Sequence, residues 1–307
     1  MLLKISLISG DFVKDYSVDF KLFLQQTKKC SANTFQSYMR DFTQFSKYCA
    51  DNRIKDCAKI NSEHIAKYLQ HLSTSGKSHA TEMRVMATLR CYFGFLMRSG
   101  IIRHNPMVGI KTGSVQKKMP EILTDKEVIL LLSQPSGNDF KSCRDKAILE
   151  LMYATGIKVT ELVDLKVSDL NLTIGILHLH SDKHERIIPL YPEAIKVISH
   201  YINGVRPAVV FDNNEDRLFT NMSGQPMSRQ GLWKLVKGYA SQANISKDIT
   251  PHTFRHSFAA HLLENGAQLN DIQKMLGHCD ISTTNIYAQV VKNKYALAYK
   301  KYHPLAK

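Results

Sequence analysis

The sequence is short of acid. Its 307 residues hold 27 Asp+Glu against 41 Lys+Arg, a net charge of +14 with a pI near 9.4. It also lacks any run near 18 uncharged apolar residues, so no membrane-spanning helix is expected. The first ten residues are mildly apolar but carry no basic stretch followed by a long apolar run, so no signal peptide is expected. The six cysteines (Cys30, Cys49, Cys57, Cys91, Cys143 and Cys279) form no C-x-x-C pair. Several fall in apolar helical patterns, which reads as buried free thiols in a reducing, cytoplasmic setting. No repeat of 20–50 residues and no low-complexity tract is visible. With 44% hydrophobic and 22% charged residues, the chain is neither disordered nor collagen-like. Its length favours two domains, each with its own core.

A single-sign charge excess of this size points to a polyanion, and nucleic acid is the first candidate. The excess is uneven. Residues 1–118 hold 19 Lys+Arg and 8 Asp+Glu, a net of 19 − 8 = +11, which leaves +3 for residues 119–307. A boundary falls in the same place. Asn105-Pro106 ends a helical pattern, because the residue before proline is pushed out of the α region. Gly109, Gly113, Ser114 and Lys117-Lys118 then lead to Pro120, and residues 106–120 read as a linker between domains 1–105 and 121–307.

The first domain reads as helices. Phe35, Tyr38, Met39, Phe42, Phe45, Tyr48 and Cys49 follow the spacing of one helix face after a Ser31 or Asn33 cap. Residues 62–72 and 81–98 form two more, the latter stopped by Gly100. Arg84, Arg90, Arg98 and Arg103 are expected on a DNA-facing surface. The second domain is mixed. Thr124-Asp125-Lys126-Glu127 is a capping box. Helices are expected over 143–155, 158–166, 192–203, 228–243, 252–264, 269–276 and 283–300, with a hairpin over 174–190.

The informative block is Thr250-Pro251-His252-Thr253-Phe254-Arg255-His256. Thr250 suits an N-cap and Pro251 the first helical position. His252 and Arg255, three apart, then share a face in the first turns. An arginine there opposes the helix dipole, which makes sense if both face an anion such as phosphate. Gly277 stops a later short helix, His278 follows at once, and Tyr287 comes nine residues on. His252, His256 and His261 could suggest a metal, but no cysteine or carboxylate completes a ligand set at familiar spacing, so no metal is expected. His178, His180 and His184 read as surface imidazoles of the hairpin.

His252-x-x-Arg255, Leu276-Gly277-His278 and Tyr287, in this order and spacing, resemble the tyrosine site-specific recombinases of the phage integrase family. Thr34, Tyr38, Arg40-Asp41 and Phe45 resemble that family's N-terminal helical, SAM-like core-binding domain, and so does the Leu89…Phe93…Asn105-Pro106 region. Lys300-Lys301-Tyr302-His303-Pro304 resembles the Xer branch. The resemblance implies a mostly α chain with a small β-hairpin or sheet: the core-binding domain, then an α+β catalytic domain. It implies a DNA strand transferase without cofactor or metal. Tyr287 would form a 3′-phosphotyrosyl bond and free a 5′-hydroxyl. Arg255 would clamp the phosphate, and His252 and His278 would donate hydrogen bonds and move protons. A lysine of the hairpin turn, taken as Lys183, would be general acid to the leaving oxygen. The implied partners are double-stranded DNA and a homo- or heterotetramer on two DNA sites, with a C-terminal helix from Tyr295 to Lys307 docking on a neighbour. The work would be dimer resolution or mobile-element integration, on the nucleoid.

Two departures stand out. The family's first arginine falls in a Thr-Gly-(apolar)-Arg segment, which here reads Thr155-Gly156-Ile157-Lys158-Val159-Thr160-Glu161-Leu162. Lysine keeps the charge but loses the bidentate fork. The family's hairpin turn, Gly-Lys-Gly-x-Lys-x-Arg, reads Ser181-Asp182-Lys183-His184-Glu185-Arg186, one residue shorter. Two hypotheses follow: an active recombinase, or a catalytically impaired DNA-binding accessory subunit.

Overall fold

A computed structural model describes residues 16–54, 56–110, 120–180, 185–210, 215–277, 284, 287 and 288. The chain divides into two compact units, Met1–Lys117 and Lys118–Lys307. Among the described residues no helix is long and apolar enough to cross a membrane.

The first unit is helical. It contains α1 (Ser17–Leu22), continued by a π turn at Phe23–Thr27, then α2 (Ala32–Asp51), α3 (Ser62–Thr74) and α4 (His79–Arg98). Ser31, Asn61 and Ser78 cap the last three, each side chain accepting from the backbone N–H three residues on. The core is unusually aromatic. Phe20, Phe42, Phe45, Tyr68, Tyr92, Phe93 and Phe95 are all buried, with the Phe42 and Tyr92 rings 4.7 Å apart. Phe20, absent from the sequence reading, is fully buried, so α1 seals this core.

The arginines of α4 also make contacts within the unit. Arg84 Nε and Nη2 donate to Asp41 Oδ2 and Oδ1 at 3.0 and 2.7 Å, and Asp41 is almost fully buried. Arg90 Nη2 donates to the Ile110 carbonyl at 3.1 Å. Arg98 lies 4.9 Å above the Phe23 ring. Each thus has a partner within the unit, while Arg90 and Arg98 stay exposed and Arg84 is partly so. A buried carboxylate left alone would be costly, and Arg84 is its counter-ion.

The second unit contains α5 (Asp125–Leu132), α6 (Phe140–Thr155), α7 (Val159–Asp164), β1 (Leu170–Asn171), β2 (Ile176–Leu179), β3 (Arg186–Pro189), α8 (Pro192–His200), α9 (Arg229–Gln242), α10 (Pro251–Glu264) and α11 (Leu269–Leu276). The capping box forms as expected: Thr124 N donates to Glu127 Oε2 at 2.7 Å and Glu127 N to Thr124 Oγ1 at 3.3 Å. In α6, Ala147, Ile148, Leu149, Leu151, Met152 and Ala154 are all buried. Arg144, Asp145 and Glu150 of the same helix are buried as well, so α6 is enclosed on most of its circumference. Truncating one of its leucines to alanine is worth about 2–5 kcal/mol.

The strands form an antiparallel meander in the order β1-β2-β3, so the hairpin of the sequence gains a third, two-residue strand. Leu177 pairs with Ile188 and Leu179 with Arg186. Their side chains face inward, while those of His178, His180, Glu185 and Ile187 face outward. Period-two alternation sets this division. It puts a charged residue, Arg186, on the buried side.

Of the expected site residues, Lys183 and His278 lie outside the described residues, as do Cys279, the 295–307 tail and most of 283–300. Cys49, Cys57 and Cys143 are buried free thiols, and Cys30 and Cys91 are partly buried.

Candidate active site

Two glycines build the centre of the site. Gly156 ends α6 with φ +58° and Gly277 ends α11 with φ +63°. That left-handed conformation favours glycine and turns the chain sharply away from the helix. Gly156 has no room for a side chain, and at Gly277 Arg186 would have to give way. A Cβ on Gly156 would sit 2.6 Å from Phe258 Cδ1, and one on Gly277 would sit 3.0 Å from Arg186 Nη1.

The carbonyls at these helix ends are taken by Arg255. Its Nη1 donates to the Gly156 oxygen and its Nη2 to the Leu276 oxygen, both at 2.6 Å. The sequence suggested that this arginine and its own helix end both face an anion. In the structure the guanidinium meets the negative ends of two other helices, where a cation is favoured. Arg255 is 5% exposed, and burial lowers its pKa to about 10, against the pull of Glu161 and Tyr287. It stays charged at neutral pH.

Local signals place it. Thr250 caps α10 and accepts from Thr253 N at 3.4 Å, and Pro251 fills the first position. His252 follows as the exposed residue of an otherwise buried first turn. His256, one turn further on, is half-buried.

Tyr287 folds back onto α10. It is 2% exposed, packed with Phe258, Ala259, Ile272 and Leu276. Its hydroxyl lies 3.0 Å from His256 Nδ1. Burial, with His252 and Arg255 nearby, pushes the His256 pKa down to about 4. The imidazole is therefore neutral and offers one acceptor nitrogen, so the geometry suits the phenol as donor to Nδ1. Burial also lifts the Tyr287 pKa above its ordinary value, although Arg255 pulls the other way. The sequence reading weighed His256 only as a metal ligand. Its signal was its place beside Arg255, four residues from His252.

Glu161 organises the third side. Its Oε2 accepts from the Lys158 backbone N–H at 2.9 Å and from Arg186 Nη2 at 2.7 Å. Arg186 Nε also donates to the Met275 carbonyl at 2.8 Å. Burial would raise the Glu161 pKa, but Arg186, the Lys158 N–H and nearby charge outweigh it, and the net shift is downward. Lys158 Nζ stands 3.7 Å from Glu161 Oε1, with its side chain 43% exposed. It is thus near the site and open to solvent. Arg186, which the sequence reading named only as part of the hairpin, is the second buried guanidinium here. Its inward position on β3 was the available signal.

Lys158, Glu161, Arg186 and Arg255 thus form one connected group, with Tyr287 and His256 beside Arg255. Such an arrangement offers fixed cations and N–H donors to an anion next to a phenol.

Comparison with known proteins follows the same lines. Residues 121–294 match the model of the phage integrase family, and residues 18–100 match that of the phage integrase N-terminal SAM-like domain. A tyrosine recombinase XerD of Staphylococcus epidermidis is 42% identical over 285 residues, covering 92% of this chain and 97% of the relative. One from Oceanobacillus iheyensis is 43% identical over 296 residues, covering 95% and 99%. Among solved structures, the XerH site-specific recombinase bound to palindromic difH substrate aligns with a TM-score of 0.75 at 20% identity. That match covers 95% of this chain and 91% of the other.

Proposed function

The chain belongs to the phage integrase family of tyrosine recombinases, and from that membership we propose that it cuts and rejoins double-stranded DNA at specific sites through Tyr287. The phenol oxygen attacks a backbone phosphorus, forming a 3′-phosphotyrosyl bond as the bond to the 5′-oxygen breaks. The phenol proton passes to a neighbouring imidazole or to water. The departing 5′-oxygen takes a proton, which we assign to Lys183. A 5′-hydroxyl from the partner strand then reverses the step. One phosphodiester is exchanged for another, so the reaction needs no nucleotide energy source.

Arg255 holds the phosphate, and Lys158 adds a second positive charge. His252 and His278 donate hydrogen bonds to the non-bridging oxygens and relay protons. Positive groups fixed before the reaction begins stabilise the extra negative charge of the transition state. The observation that carries this reading is the return of Tyr287 onto α10. Its hydroxyl sits 3.0 Å from His256, the residue next to Arg255. This proximity supports the reading of Tyr287 as nucleophile beside an Arg255 clamp. The accessory reading, with strand cleavage lost, is not favoured: relatives at about this identity over nearly the whole chain carry the name tyrosine recombinase.

Exchange between two duplexes requires four active sites, so we assign the working form as a tetramer on two DNA sites, formed by this chain alone or with a second Xer-type subunit. The N-terminal unit, with most of the net positive charge, would clamp the duplex. The biological role is resolution of chromosome or plasmid dimers, or movement of an integrating element, on the nucleoid. Removing residues 295–307 is expected to impair cleavage or synapsis more than single-site binding; equal loss of both would sink the docking role of that tail.

The test is a suicide substrate nicked near the cleavage position. Wild type should leave a covalent protein–DNA adduct and Tyr287→Phe none. An adduct with Tyr287→Phe would overturn the nucleophile assignment. An adduct with Lys158→Arg but not with wild type would mean that the natural protein does not cleave.

A further inference from the structure

The outward face of the β2–β3 hairpin carries three groups that the reaction does not use. His178 in β2 and His180 just past its end are two residues apart in the extended chain and so project from the same side. Leu179 pairs with Arg186, which sets His180 across from Glu185 one step further along. Glu185 Oε1 lies 2.6 Å from His178 Nε2 and 3.2 Å from His180 Nδ1. One ligand atom from each of the three residues falls within 4.8 Å of the others. The two imidazole rings are 4.1 Å apart between centroids. The side chains of His178, His180 and Glu185 are 35%, 63% and 61% exposed, so the cluster is open to solvent. The opposite face of the same strands, with Leu177, Leu179, Arg186 and Ile188, is buried.

We propose that His178, His180 and Glu185 form a binding site for a zinc-class divalent ion on the back of this hairpin. Two imidazole nitrogens and one carboxylate oxygen are a donor set that zinc takes, with a water in the fourth position. Zinc holds such ligands at about 2.0–2.2 Å in a tetrahedron, which places neighbouring ligand atoms about 3.3–3.5 Å apart. The His180–Glu185 separation of 3.2 Å already meets this. The His178–Glu185 separation of 2.6 Å has to widen by about 0.7 Å to reach it, a small rotation for two exposed side chains. Imidazole ligands select against magnesium and calcium, which take oxygen sets. Copper(II) is expected to bind more tightly than zinc, following the usual divalent order. The site lies across the two chain segments that flank residues 181–184 in sequence, so an ion there ties His178 and His180 to Glu185 across them. It stands apart from the phosphate-binding group and does not depend on the assignment of Tyr287.

The full-length protein, stripped with chelator, is titrated with zinc against a competing chromophoric chelator. One ion per chain should bind at pH 7.5. His178→Ala, His180→Ala and Glu185→Gln should each weaken that binding at least tenfold, while His200→Ala leaves it unchanged. Cobalt(II) in place of zinc should give a four- or five-coordinate visible spectrum without the near-ultraviolet band of a thiolate ligand. Circular dichroism confirms that each variant is folded. Absence of stoichiometric binding, binding untouched by the His178→Ala/His180→Ala double variant, or a cobalt–thiolate band lost on blocking the cysteines would each overturn the proposal.

Discussion

Replacing Lys158 by arginine tests how the site handles its departure from the family pattern. Lys158 is a point charge on a flexible stem, with its nitrogen 3.7 Å from Glu161 Oε1, beyond a charge-assisted hydrogen bond. Facing a phosphate, it supplies Coulomb attraction and at most one aligned donor. Arginine keeps the charge and adds a second donor in a fixed fork. One further hydrogen bond to a charged acceptor is worth about 1.5–3 kcal/mol. At about 1.4 kcal/mol per tenfold, that corresponds to a rate gain of roughly 10–150-fold if it is realised only in the transition state. The side chain is 43% exposed, and solvent screening favours the lower end, about tenfold. Lys158→Ala loses the charge itself, and a loss of about 100–1,000-fold is expected, the scale for removing one preorganised donor. The assay is single-turnover adduct formation on the nicked substrate with protein in excess, resolved on a denaturing gel, with DNA affinity measured in parallel. Wild-type rates with Lys158→Ala would refute any role in the chemistry. A slower Lys158→Arg would refute the fork argument and indicate a site shaped around lysine.

Other predictions follow from the same geometry. Glu161→Gln leaves Arg186 buried without its counter-charge, a cost of about 3 kcal/mol, read as a lower denaturant midpoint. Because the folded-state pKa of Glu161 is depressed, its stabilisation is present above the unfolded value near 4.3 and is lost as pH falls through the lower folded value; the Gln variant should lack this acid-limb dependence. Gly156→Ala forces a side chain into a left-handed position and against Phe258, costing about 1–2 kcal/mol for the backbone alone, and should lower both the melting temperature and adduct formation by disturbing the Arg255 clamp. His256→Ala strands the buried Tyr287 hydroxyl at a cost of about 1–3 kcal/mol, much of it recovered in the His256→Ala/Tyr287→Phe double variant; simple additivity in the cycle would show that the two groups do not interact. With its folded-state pKa near 4, below the unfolded 6.5, His256 contributes stability that is complete above pH 6.5 and is lost as pH falls toward 4. Allowing for its partial exposure, wild type should lose about 1 kcal/mol more than His256→Ala between pH 7 and pH 5.

Much of the fold was legible because periodicity and caps agreed. Helices α3, α4, α6 and α9–α11 fall within a few residues of the ranges expected from apolar spacing, and Thr124 and Thr250 cap where their sequence context indicates. Two elements were not legible. Helix α1 is six residues long with one fully buried apolar side chain, Phe20, too little for a periodic signal. Strand β1 is two residues held by its pairing with β2. In the site, Arg255 was readable from motif order, but what holds it was not, because backbone carbonyls carry no sequence signature. Arg186 was hidden by reading the hairpin as a turn with two arms. Its inward register, shared with Ile188, only appears once the strands are paired. Arg84 was read only for its outward spacing, and its pairing with Asp41 was not anticipated. Asp41, a carboxylate on the apolar stripe of α2, was the clue that an internal partner was needed.

The grip of two carbonyls on Arg255 has a consequence for timing. A free arginine loses about 2 kcal/mol of rotamer freedom when it is fixed on a ligand. Here that ordering is completed during folding, since Nη1 and Nη2 are each tied by one hydrogen to a helix end. Among the described residues no other acceptor takes the remaining three of the five guanidinium hydrogens, one on each Nη and one on Nε. If Arg255 receives the phosphate as proposed, its aim is already set before the phosphate arrives, and the entropy of orienting it does not enter the barrier.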